Sequence, residues 1–112
     1  AWLQASLAEI PAPADRAAAW LTLWDAVLEA RLPPADWFST VQRALPRETD
    51  RLVVGEVLDE IATLWSRYLA PARRDAMAPA IEAFLRTGLD RAGDPGAKAA
   101  WFGALVEVAQ TP

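Results

Sequence analysis

The chain has no histidine and no cysteine in its 112 residues, and a single lysine, Lys98. Without imidazole or thiolate it lacks the usual zinc ligands, the Cys or His of most nucleophilic triads, and the side chain that titrates near neutral pH. No catalytic, cofactor-binding or metal-binding residue is therefore expected among these residues. Positive charge is in deficit, with 11 Lys and Arg against 15 Asp and Glu, for a net charge of −4. No basic stripe or Arg-aromatic platform breaks that balance, so nucleic acid is not an expected partner. No apolar run approaches the roughly 20 residues of a membrane span, and no signal-peptide pattern opens the chain. With no cysteine to oxidise, the expectation is a soluble, cytoplasmic protein without a membrane partner.

What is present suits a helical core. Hydrophobic residues make up 54% of the chain, six of them Trp, while 23% charge keeps a surface wet. The length is that of one domain, so 1–112 is read as a single helical unit. Strand alternation is absent and helical periodicity runs nearly throughout. Trp2, Leu3, Leu7 and Ile10 suggest a short opening helix, punctuated by Pro11 and Pro13. A first long helix is expected over 15–30, with Trp20, Leu23, Trp24, Val27 and Leu28 on one face. Pro33 and Pro34 stop it and start a second over 34–45, burying Trp37, Phe38 and Val41. The third, 49–69, has the cleanest pattern, from Val53 and Val57 through Ile61 and Trp65 to Tyr68 and Leu69. Pro71 opens a fourth over 71–91, Gly93 is expected to end it, and Asp94-Pro95 caps a fifth over 95–110.

Short connections between long amphipathic helices force neighbours to lie antiparallel. Helix starts recur at offsets of 34 (15 to 49) and 37 (34 to 71), near the period of helix-pair solenoids. The expected fold is thus all-α, an irregular HEAT-like array of antiparallel hairpins with five main helices. The last helix is apolar around most of its girth, through Trp101, Leu105 and Val108 on one face and Phe102 and Val106 on the next. Its leftover surface is expected to self-associate through Phe102 and Val106.

Several constellations invite a chemical reading, and each has a plainer one. Glu56, Asp59 and Glu60 share a helix face and have the donors for a hard cation, but a solvated acidic face is the commoner meaning. Asp25 and Glu29 form an i, i+4 carboxylate pair without a nucleophile nearby in sequence. Arg73 and Arg74 sit in a first helical turn, where the dipole disfavours cations and a fixed acceptor would explain them. Trp20, Trp24, Trp37 and Trp65 fall at core spacing rather than around a ligand cavity. Gly55, inside the third helix, suggests a close helix crossing.

Arg16 differs from these. On the helical wheel it lies near Leu23 and Val27, on the apolar side, where an unpaired charge is very costly. Glu48 and Asp50, at the turn into the third helix, are the nearest expected partners. Arg16, Glu48 and Asp50 are therefore read as a structural clamp.

The segments D-R-A-A-A-W (15–20), L-W-D-A-V (23–27), L-P-P-A-D-W-F (32–38) and A-L-P-R-E-T-D (44–50) give the chain a further reading. Together they resemble the C-terminal helical domain of zinc aminopeptidases of the aminopeptidase N and puromycin-sensitive type. The likeness covers the first half of the chain well and the rest as a helical pattern. It implies an Arg at position 16 of a structural kind and a HEAT-like array arching over a catalytic cleft. It also implies that the domain restricts peptide access without itself catalysing hydrolysis. The family holds zinc through an H-E-x-x-H helix and a distant Glu, which this chain lacks. On that view the chain, which opens at Ala1, is a piece of a larger hydrolase. Zinc sits in the missing catalytic domain, and its partners are that domain of the same polypeptide and the peptide substrate. The other readings are a free-standing helical interaction scaffold and, third, the ligand-binding half of a bacterial regulator.

Overall fold

A computed structural model of the chain describes residues 2–109, and all of its regular structure is helical. Six α-helices are present among the described residues, one more than the five main helices expected. They are α1 (Trp2–Ser6), α2 (Pro13–Leu28), α3 (Pro34–Ala44), α4 (Arg51–Thr63), α5 (Pro71–Arg91) and α6 (Pro95–Ala109). The extra one is the short opening helix. Residue 110 of the expected last helix and Pro112 lie outside the described residues. The chain divides into two compact units, 1–57 and 58–112, with the division falling inside α4.

In the first unit, α1 runs into a 3-10 turn (Leu7–Glu9) and packs on α3, which also packs on α2. Pro34 starts α3 where the sequence places it, whereas Pro13, read as punctuation before a helix at 15, is itself the first residue of α2; both occupy first positions, where a missing N–H costs nothing. The core is Trp-centred. Trp37 is wholly buried, and its ring meets that of Trp24 at 5.0 Å, tilted 53°. Such a tilted pair is worth about 0.5–1.5 kcal/mol beyond the area it buries. Thr40, also fully buried, donates its hydroxyl to the Asp36 carbonyl and accepts from Gln4 Nε2 at 3.4 Å, tying α1 to α3.

The end of α2 was not legible in the sequence. Ala30 holds a left-handed conformation at φ 59°, where glycine is the usual occupant. Its N–H reaches the Val27 carbonyl while the Arg31 N–H reaches that of Ala26, the paired bonds of a Schellman ending. Leu28, expected on the buried face, is instead 43% exposed, because the helix stops at that residue.

In the second unit, α5 and α6 form the closest pair. Ile81 and Leu85 are buried on α5, and Trp101, Ala104, Leu105 and Val108 on α6. Gly88 makes the fit possible, since a β-carbon there would stand 2.3 Å from the Trp101 ring. The third predicted helix does not run on to Leu69. Its last turn widens into a π turn (Leu64–Tyr68) before extended Leu69 and Pro71. A π turn inserts a residue into the helical register, so Tyr68, placed on the apolar face by the 100° wheel, turns out to be 49% exposed. Two glycine expectations also change. Gly55 has no atom within 4 Å of a notional β-carbon, so no helix crosses closely there. The end of α5 comes at Ala92 in an extended conformation, with no left-handed glycine among the described residues.

Candidate functional site

The densest polar arrangement is built where the start of α2 meets the turn before α4. Arg16 projects from the first turns of α2 with its side chain only 11% exposed, and Glu48 lies opposite at 1%. The guanidinium donates from Nε to Glu48 Oε1 and Oε2 at 3.0 and 3.2 Å, and from Nη2 to Oε2 at 3.0 Å. This fork is the geometry that makes Arg-carboxylate pairs strong and directional. The remaining nitrogen, Nη1, donates to the carbonyls of Ile10 and Pro11, each at 3.0 Å. Arg16 therefore also fixes the path of the chain between α1 and α2.

Glu48 collects further donors. Trp20 Nε1 approaches Oε1 at 3.4 Å, and the backbone N–H groups of Thr49 and Asp50 both donate to Oε2 at 3.0 Å. One buried carboxylate thus serves five donors, which is how a buried charge is kept tolerable. Burial pushes the Glu48 carboxyl up. The Arg16 hydrogen bond, the Asp50 N–H, the guanidinium charge and the Trp20 indole outweigh it and hold the group below its ordinary value. Hydrogen bonding by Glu48 raises Arg16 above its own ordinary value, with burial working the other way.

Of the three residues read as a clamp, the structure forks Arg16 onto Glu48 and gives Asp50 another task. Asp50 Oδ1 accepts from Leu52 N at 2.9 Å and Val53 N at 3.3 Å, which makes it the N-cap of α4. Its charge still acts on Arg16 through space. The arrangement orients three chain segments: five donors converge on the one carboxylate, and four of the five guanidinium N–H groups are engaged by Glu48 and the Ile10 and Pro11 carbonyls.

The other constellations stay apart from chemistry. Glu56 and Asp59 are exposed, and no group of three His, Cys, Asp or Glu able to hold a metal occurs among the described residues. Asp25 is exposed and Glu29 is paired with Arg31 on the surface. Trp20, Trp24, Trp37 and Trp65 are all buried as core. Arg74 finds acceptors that sequence reasoning did not name. It donates from Nε to the Trp65 carbonyl at 2.8 Å and from Nη2 to that of Ser66 at 3.0 Å. The π turn ends at Tyr68 with Leu69 extended, which leaves its last carbonyls without intrahelical donors, and the guanidinium takes that place.

No family model matches the chain, and neither a curated protein nor a solved structure matches it.

Proposed function

We propose that these residues form the non-catalytic C-terminal helical domain of a zinc metallo-aminopeptidase, a domain that covers the catalytic cleft and restricts peptide access. The observation that carries the reading is the meeting of two segments on which the resemblance rests. D-R-A-A-A-W supplies Arg16 and Trp20, A-L-P-R-E-T-D supplies Glu48 and Asp50, and the two are joined through the Glu48 carboxylate. Residues of separate motifs that hold each other by hydrogen bonds are a reason for those motifs to occur together.

Zinc does not fit these residues themselves, which include no His and no Cys. On this reading the metal and the reacting groups belong to the catalytic domain of the same polypeptide, and the present helices act on the peptide only by limiting its access. Phe102, 55% exposed on α6, and half-buried Val106 would then be covered by further helices of the parent domain. Residues 1–112 expressed alone should self-associate through them, and Phe102→Glu should weaken that association in light scattering.

A free-standing interaction scaffold is the second reading, favoured by apolar side chains that stand in water, notably Leu52 at 80% exposure. The coding sequence upstream of Ala1 separates the two. An H-E-x-x-H followed by a downstream Glu supports the aminopeptidase reading, while a start codon directly before the Ala1 codon overturns it.

A further inference from the structure

We propose that a groove between α4 and α6 in the second unit binds a small basic amino acid of the free-lysine class, carrying two ammonium groups and one carboxylate. Asp59, Ala62, Thr63 and Ser66 follow one another at helical spacing along one face of α4 and into the π turn. Arg67 comes next, and Glu107 on α6 completes a groove of about 430 Å³. That volume is within the roughly 300–1,000 Å³ of small-molecule sites. The wall is fixed rather than loose, because Arg74 grips the carbonyls of Trp65 and Ser66 at 2.8 and 3.0 Å. Turns of the π type recur at functional sites.

The charges specify the ligand. Asp59, Glu107 and Arg67 border the same groove, yet no ion pair joins Arg67 to either carboxylate among the described residues. Two carboxylates and one guanidinium call for two cations and one anion in return. Asp59 precedes Arg67 by eight residues, roughly 12 Å of helical rise. A ligand as short as glycine cannot serve both ends, whereas the long arm of lysine reaches an acidic residue while its carboxylate takes the guanidinium fork. Thr63 and Ser66 add hydroxyls between the charged ends. This site is independent of the aminopeptidase reading.

The test is a ¹H–¹⁵N NMR titration of the full chain at fixed ionic strength with L-lysine, cadaverine or glycine. Lysine should give saturable shifts centred on Thr63, Ser66, Arg67 and Glu107, with glycine far weaker. Asp59→Asn, Glu107→Gln and Arg67→Gln should each lower lysine affinity about two- to fivefold, the worth of one exposed ion pair. Arg67→Gln should not weaken cadaverine and should tighten it slightly, because a like charge is removed from the groove, and circular dichroism checks that each variant keeps its helices. Shifts that do not saturate, that spread over the acidic surface, or that persist unchanged in the variants overturn the site. Cadaverine binding as tightly as lysine overturns the ligand class.

Discussion

Gly88 and Trp101 are packed so closely that a β-carbon on residue 88 would stand 2.3 Å from the indole ring. The ring has little freedom to retreat, since it is buried and lies 5.5 Å from the Phe84 ring between centroids. Gly88→Ala should therefore destabilise the second unit by about 1–2 kcal/mol, overpacking exceeding the helix-propensity gain of about 1 kcal/mol. Gly55→Ala should do the opposite, stabilising by about 0.5–1 kcal/mol, because nothing lies within 4 Å of its new methyl. Urea unfolding of the two variants compares them directly. Equal effects of the same sign would contradict the packing described.

Helix ends offer a second set of predictions. Asp50→Ala and Asp94→Ala each remove an N-cap, the latter bonded to Ala97 N at 2.9 Å, and each should cost about 1 kcal/mol. Ala30→Gly should stabilise by up to about 1 kcal/mol, since a left-handed residue with a β-carbon is strained by about 1–2 kcal/mol and glycine gives back part through unfolded-state entropy. Thermal melts of the three variants should show two falls and one rise.

Glu48 gives the stability a pH dependence of known sign. Its carboxyl titrates below its ordinary value in the folded chain. Its stabilisation is therefore complete above the ordinary Glu range, near pH 4.3, and is lost as pH falls through the lower native value. The urea midpoint should hold between pH 7 and 5 and then decline on acidification. Glu48→Gln should lower the midpoint at pH 7 and flatten the acid limb. A variant with the wild-type acid limb would show that other carboxylates control it.

Helix existence was legible because proline punctuation and apolar spacing agree at nearly every element. Pro34, Pro71 and Pro95 each open a helix where the sequence puts one. The π turn was not legible, since Leu64, Trp65 and Tyr68 fit an α-helical stripe and the extra residue arises from how the helix must end before Pro71. Nor was the Ala30 ending, which lacks the glycine that signals it. Arg16 was legible because a charge on an apolar face demands a partner. That Glu48 would be the hub and Asp50 the cap could not be separated, as both carboxylates stand within two residues of each other. The Gly88 approach was hidden because a helical glycine says nothing of which helix lies above it, as the open surroundings of Gly55 make plain.

Arg16 and Glu48 act as one unit joining the two motifs. A double-mutant cycle of Arg16→Met and Glu48→Gln, read by urea unfolding at pH 7, tests it most directly. Each single variant should be strongly destabilised, because each leaves the other charge buried without its fork. The double variant should lose far less than the sum, with a coupling well above that of the exposed Arg31–Glu29 pair measured the same way. Additive losses, or a coupling no larger than that of the surface pair, would contradict the account.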